Sequence, residues 1–344
     1  MKIYELLEKF VRIPFVLCVA HQLKEIMTKN MRMRMDTKTV RLNFPVEAAR
    51  YGYFQLLMWS ESAMGCSCLS IAKVIMHGKE VNVSVADMAA CNGHLEVLRW
   101  SVSRGCVLTP LTMEFAFGEN RRKVIEWLWQ MKCQITPQAC IEAARMGHLR
   151  PIQWSALHSR EYNKPEVTQM AASRGHIHIV KWLLEKNFVS SSLICNAAAE
   201  GGQLGIIQWT VEQGFPRDRD SIRLAVQSGH LGAVRWMLDN DFPVVSSICD
   251  EAAIKGQLAV LKLLRQRGFA WSRDTLFDAV RGAHSDAVLW MLENGCPWDK
   301  YIFVTVRRFD MTFRNAILEW LLLNTHDDTV QWLENIWADN MTHV

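Results

Sequence analysis

Tryptophan returns along this chain at a spacing that few folds accommodate. Eight of the 14 stand at Trp59, Trp100, Trp127, Trp154, Trp182, Trp209, Trp236 and Trp290, at intervals of 41, 27, 27, 28, 27, 27 and 54 residues. The last interval is two periods of 27. Self-similarity at such a period marks a chain made of one small unit many times over. Counting from the residue seven before each Trp, position 0 is Gly52, Gly93, Asn120, Gly147, Gly175, Gly202, Gly229, Gly256 and Ala283, with Leu263 in place of Trp in the eighth unit. Position −4 is Ala in all nine units: Ala48, Ala89, Ala116, Ala143, Ala171, Ala198, Ala225, Ala252 and Ala279. Position +5 is aliphatic throughout: Leu57, Leu98, Ile125, Ile152, Val180, Ile207, Val234, Leu261 and Val288.

Each unit reads as two helices, from about −10 to −1 and about +2 to +11, each ~15 Å long at 1.5 Å per residue. Position +16 supplies an N-cap to the next first helix at Thr109, Thr136, Asn163, Ser191, Asp218, Ser272 and Asp299, side chains that accept from free first-turn amides. Pro110 and Pro137 follow at the first helical position, where a missing amide is harmless. Gly at 0 and again at +12 (Gly105, Gly214, Gly268, Gly295) ends the two helices in the left-handed conformation. Apolar residues at +2, +4, +5 and +8, such as Leu231, Ala233, Val234 and Met237, keep the helical period. No alternating strand signal stands out. A ten-residue helix pair cannot bury its apolar face alone, so units must stack on their neighbours. The expected fold class is all-α, a solenoid of stacked helix pairs with terminal caps.

The stretch Ala171-Ala172-Ser173-Arg174-Gly175-His176-Ile177-His178-Ile179-Val180-Lys181-Trp182-Leu183-Leu184-Glu185-Lys186-Asn187 resembles the ankyrin repeat core, Ala-Ala-x-x-Gly-His-x-x-Val-Val-x-x-Leu-Leu-x-x-Gly. The resemblance covers about residues 44–300. It departs from the ankyrin pattern in lacking about six residues per unit, from the segment that forms the protruding β-hairpin. A cap and Pro two residues earlier replace the Thr-Pro-Leu-His opening. The short form with Trp at +7, and endings such as Gly295-Cys296-Pro297-Trp298-Asp299, resembles the divergent arrays of giant DNA viruses and some protists. The resemblance implies an ankyrin-like α-solenoid lacking most of the hairpin, acting as a protein-binding scaffold, in the host cytoplasm if viral.

Chemistry-bearing residues fall into the repeat's packing columns. Cys106, Cys133 and Cys296 lie at +13, where other units place Phe188, Phe215, Phe242 and Phe269; Cys140, Cys195 and Cys249 lie at −7, alternating with Ile222 and Leu276. A column that accepts Cys, Phe, Ile or Leu serves packing. Cys66-Ser67-Cys68 has no His at ligand spacing. His94, His148, His176, His230 and His284 share position +1, one ring per unit rather than several around one metal; the ankyrin resemblance implies a linking hydrogen bond there. The Trp column could be a stacking platform for bases, but its aliphatic flanks and the Leu263 replacement favour packing in the core or between repeats, so that Trp182→Ala is expected to empty a buried site. Phosphate loops, metalloprotease helices and nucleophile elbows are absent from the sequence. The expectation is a non-enzyme with no catalytic residues, cofactor or metal.

Charge and ends complete the reading. The 39 Lys+Arg against 35 Asp+Glu leave +4, with an excess of five positive charges in residues 1–41 and of five negative charges in 315–344. This is far from the dense basic face of a nucleic-acid binder. Binding of nucleic acid or an acidic surface through Lys24–Arg41 is the alternative function. No apolar run approaches the ~18 residues of a membrane helix, and ten cysteines without a secretion signal suggest a cytoplasmic protein with free thiols. Residues 1–43 read as a helical cap or a partner-binding helix, 44–300 as the array of about nine units, and 301–344 as a degenerate repeat and C-terminal cap. The extra residues around Ile71–Val83 read as a loop or an added helix. Unit four, with Pro151 in its second helix and Ser159 at +12, is the poorest and is where a hinge would lie. The expected partners are other proteins, bound by a monomer. The variable positions −2 and −1 would carry the contacts, chiefly Arg145, Met146, Arg174, Glu200, Gln227, Lys255 and Arg281, with Glu119, Ser173, Ser228 and Ile254 beside them.

Overall fold

A helix of nine or ten residues survives only if its ends are closed, and the closures are what recur most strictly here. In a computed structural model the +1 amide of every unit bonds the carbonyl of the −4 Ala, from Tyr53 N–H to Ala48 through His284 N–H to Ala279. The position 0 amide bonds the −3 carbonyl in every unit, as Gly202 does Ala199 at 3.2 Å. Together these form a Schellman closure. The second helices close in the same way, +13 amide to +8 carbonyl, as in Cys106 to Ser101 and Phe215 to Thr210, both 3.0 Å. The turns need a left-handed residue at 0 and +12 whether or not glycine is there: Asn120, Lys132, Asp241 and Ala283 hold φ of 53–60° in the same columns.

The structure describes residues 37–64, 69, 71–76, 79–158, 164–186 and 191–299, together with 302, 305, 315, 317, 319 and 320. It is mostly helical, with one two-stranded sheet. The chain divides into two compact units, Met1–Met170 and Ala171–Val344. The first holds α1 (Thr37–Arg50), α2 (Phe54–Met64), β1 (Ile71–Met76), β2 (Lys79–Ser84), α3 (Val85–Asn92), α4 (Leu95–Ser103), α5 (Pro110–Gly118), α6 (Arg122–Gln130), α7 (Pro137–Met146) and α8 (Leu149–His158). Helix α9 (Lys164–Ser173) spans the division. The second holds α10 (Ile177–Glu185), α11 (Ser191–Glu200), α12 (Leu204–Glu212), α13 (Arg219–Gln227), α14 (Leu231–Asp239), α15 (Ile248–Ile254), α16 (Leu258–Gln266), α17 (Arg273–Arg281) and α18 (Ser285–Glu293).

First helices pack side by side in sequence order, α1–α3–α5–α7 in one unit and α11–α13–α15–α17 in the other. The −4 Ala side chains are buried in every unit, so the helices approach closely. Thr109, Thr136, Asp218 and Ser272 take their expected N-cap places, and Pro110 and Pro137 open their helices. Helix α15 starts late, because Val245 occupies the capping position and Ser247 makes no side-chain cap bond. The expected caps Asn163 and the N-terminal segment before Thr37 lie outside the described residues, as do Cys66, Cys68 and most of 301–344.

Two expectations need correction. The insertion around Ile71–Val83 is neither a loop nor a helix but an antiparallel hairpin, so the chain is not purely helical. Its period-two signal is Ala72, Val74, Val81 and Val83 facing inward against exposed Ile71, Lys73 and Glu80. Ala72 pairs with Val83 and Val74 with Val81, and Lys73 Nζ meets Glu80 Oε2 at 3.2 Å. The second correction concerns the Trp column, which lies at the edge of the core: Trp59, Trp100, Trp127, Trp154, Trp182, Trp209, Trp236 and Trp290 are all half-buried. Their rings span neighbours instead. Phe54 of unit one meets Trp100 of unit two edge-on at 6.0 Å, and Lys181 Nζ sits 5.6 Å from the Trp209 ring of the following unit. Within a unit, Trp209 also meets Phe215 at +13, 5.8 Å away.

The fully buried residues of α10 are Ile179, Val180 and Leu183. Leu183→Ala should therefore destabilise by about 2–5 kcal/mol, and Trp182→Ala by less than the ~3–5 kcal/mol typical of a fully buried Trp. Urea denaturation of the two variants checks the order; a larger loss at Trp182 would contradict the half-buried position.

Candidate functional site

The expected contact positions sit on a backbone tied across units by position +1. His94 Nε2 meets the Arg50 carbonyl at 3.1 Å, His230 Nε2 that of Glu200 at 2.8 Å and His284 Nε2 that of Ile254 at 3.1 Å. A carbonyl only accepts, so Nε2 carries the proton in each ring. Gln203 Nε2 donates to Ser173 and Gln257 Nε2 to Gln227, both at 3.2 Å, and Arg121 Nε to Cys91 at 2.9 Å. Every acceptor is the −2 carbonyl of the preceding unit. The linking role implied by the ankyrin resemblance is thus present at these junctions, carried by Gln and Arg as well as His.

The same side chains explain the glycine column. A Cβ on Gly202 would stand 2.5 Å from His230 Nδ1, in addition to the left-handed φ of 69°. At Gly214, with φ of 74°, a Cβ would meet nothing within 4 Å. Gly214→Ala should then lose only the ~1–2 kcal/mol left-handed penalty, and Gly202→Ala should lose more. Adding His230→Ala to Gly202→Ala should recover part of the difference, a coupling that a double-mutant cycle in thermal unfolding will detect. Strict additivity would contradict the close approach.

Side chains at −2 and −1 divide into two kinds. Arg174, Glu200, Lys255 and Arg281 are exposed, as is Ser228. Arg281 stays 60% exposed although its Nη1 is 3.9 Å from Asp278. Burial pushes the Asp278 carboxyl above its ordinary value, against the lowering effect of Arg281. Met146 and Gln227 are half-buried, and Gln227 Nε2 donates to Glu251 at 2.7 Å. Arg145 departs from expectation. Its side chain is only 16% exposed, with Nη2 2.6 Å and Nε 2.7 Å from Glu142 Oε2. It is part of the wall rather than a free charge, and reversing it would set two carboxylates against each other. Arg145 and Met146 belong to the first compact unit and the other five to the second.

A set of polar pairs escaped the sequence reading. Asp87 is 3% exposed, and its Oδ1 accepts from Thr112 Oγ1 of the next unit at 2.6 Å, while its Oδ2 accepts from the Ser84 amide at 2.9 Å. Thr275 donates to Asp250 in the same arrangement, joined by Ser272 Oγ at 2.9 Å. Ser221 Oγ donates to Asn196 Oδ1 at 2.5 Å. Each pairs position −6 with −8 of the following unit, 25 residues on, and that recurrence was the available signal.

No protein-family model matches the chain, and comparison with curated proteins finds no match.

Among the described residues no cluster of His, Cys, Asp and Glu could hold a metal ion, and no helix is long and apolar enough to cross a membrane. The thiols of Cys91, Cys106, Cys133, Cys140, Cys195, Cys249 and Cys296 are buried and not joined in disulfides. Burial pushes Cys91, Cys140 and Cys249 up to about 11 and Cys296 to about 12. The thiolate is the reactive form, so a shift from 9.0 to about 11 leaves Cys140 with about 100-fold less thiolate at pH 8. Site-resolved alkylation should find Cys140 at least about 100-fold slower in the native chain than in urea at that pH, its thiolate forming only as pH nears 11. Equal rates would contradict its burial.

Proposed function

We propose that the chain is a non-catalytic protein-interaction scaffold, an ankyrin-like solenoid of nine short helix-pair units. One observation carries the reading. Positions −2 and −1 vary freely in size and charge, yet at six junctions they sit on a backbone whose −2 carbonyl is held by the next unit's +1 side chain. Such a surface can change partner by side-chain substitution alone, without altering the frame beneath it. Solenoids use extended surfaces in this way.

Within the second compact unit the exposed cations Arg174, Lys255 and Arg281 are the strongest candidates for partner contact. Arg145 is left out of the set because Glu142 engages it. Changing the three to Glu should move the melting temperature little, since exposed charges contribute roughly 0–1 kcal/mol. It should weaken an acidic partner by about tenfold or more, because charge reversal penalises the complementary surface. The test is affinity capture with the full chain, followed by titration of each purified partner against wild type and triple variant. Unchanged affinity for every partner would place the contacts on another face.

A further inference from the structure

Comparing the repeat with itself isolates one surface. Position +10, in the last turn of the second helices, is polar in eight units: Ser62, Ser103, Gln130, Glu185, Glu212, Asp239, Gln266 and Glu293. Unit four places Leu157 there, 82% exposed. Unit three departs beside it. Its Trp129 at +9 is 39% exposed, and Met131 at +11, where other units place Ala63, Arg104, His158, Lys186, Gln213, Asn240, Arg267 and Asn294, is 47% exposed. These side chains frame an aromatic cluster. Trp129 meets Trp154 edge-on at 5.7 Å, and His158 stacks on Trp154 at 4.3 Å, its Nδ1 held by the Trp154 carbonyl at 2.8 Å.

Next to the cluster, α6 and α8 leave a cleft of about 420 Å³ between them, within the range of ~300–1,000 Å³ usual for ligand sites. Ile125, Pro151, Trp154 and Leu157 give it apolar walls, and Arg122 and Arg150 stand at its margin. Glu126 is the single carboxylate lining it, and Arg122 Nε already engages it at 2.7 Å. Arg150 is exposed and makes no ion pair among the described residues.

We propose that this cleft and the adjoining Trp129–Leu157 surface bind an acidic segment of a partner protein that carries bulky apolar side chains. The inference rests on the scaffold reading and adds the chemistry of one partner. Both walls are helices with internally bonded backbones, so recognition must come from side chains, and an added β-strand would find no free edge. Arg122 and Glu126 offset each other, so the Arg150 guanidinium is the uncompensated charge on the cleft and favours an occupant with carboxylates. The apolar surface runs from Leu157 and Trp154 in the cleft wall onto exposed Trp129, beyond the reach of a small anion. Exposed apolar groups gathered in one place, rather than scattered singly, are the usual mark of an interaction site.

The probe is a fluorescein-labelled synthetic peptide of about 14 residues, with Leu at helical i, i+3, i+4 and i+7 spacing and Glu elsewhere, alongside a twin with Lys for every Glu. Anisotropy titrations use the full chain. The acidic peptide should saturate and the Lys twin should bind at least about tenfold more weakly. Leu157→Glu and Arg150→Glu should each weaken the acidic peptide about tenfold while leaving thermal unfolding unchanged, as exposed positions do. No binding by the acidic peptide, equal binding of the twins, or an affinity unmoved by Leu157→Glu overturns the proposal. So does a wild-type dimer that Leu157→Glu converts to monomer, which would make a second copy the occupant. The scaffold reading is judged separately: captured partners lost on charge reversal at Arg174, Lys255 and Arg281 sustain it even where the peptide fails.

Discussion

The carbonyl at −2 is the hinge of this architecture's chemistry. The last four carbonyls of a helix have no partner inside it. Here the unit closes two of them by itself, −4 with the +1 amide and −3 with the position 0 amide. The third, at −2, is reached by a side chain of the following unit, as His230 reaches Glu200. A unit therefore completes its own helix end only when another follows it. This is a polar counterpart of the apolar argument that a short helix pair cannot bury its face alone, and the two requirements act at the same junction.

Position +1 shows what such a constraint selects. His, Gln and Arg share little in charge or shape, but each can bring an N–H donor to the same carbonyl, at 2.8–3.2 Å. The side chain crosses directly over the preceding glycine, so that column is narrowed by contact as well as by φ. Gly202 lies under His230 in this way, whereas Gly214 at +12 faces open space and needs glycine only for its turn. Two glycine columns that look alike in the sequence thus have different reasons.

That difference marks the limit of what could be read. Helix pairs, their caps at Thr109, Thr136, Asp218 and Ser272, and the left-handed turns were legible because each depends on a residue and its immediate neighbours. The Trp column was legible as a period but not as a depth: a ring at +7 can lie within the core or span two units, and only packing decides. The hairpin at 71–84 was missed because its alternation is short and its apolar face is Ala72 and three valines, a weak signal beside nine helical units. The −6 to −8 pairs were missed because a Thr112 or a Ser221 reads as a cap-region residue until the neighbouring helix brings Asp87 or Asn196 to it. Of the candidate contact residues, Arg174, Glu200, Lys255 and Arg281 lie exposed as their variability suggested. Arg145 does not, since an arginine three residues after Glu142 can fold back along its own helix.

A repeat supplies its own control, and this bears on function more than any single residue does. Where a column is kept polar in eight units and turns apolar in one, local folding gives no reason for the change, because the other eight fold without it. Leu157 is in that position: α8 needs no apolar side chain at +10, and water gains nothing from one that is 82% exposed. The Trp182 column argues the opposite way, since its recurrence in eight of nine units ties it to the frame. Recurrence identifies what every unit needs to stack, and departure identifies what one unit does for itself. On that criterion the second-helix surface of units three and four carries a more specific signal than the varied −2 and −1 positions, where every unit differs and no one residue stands out against the rest.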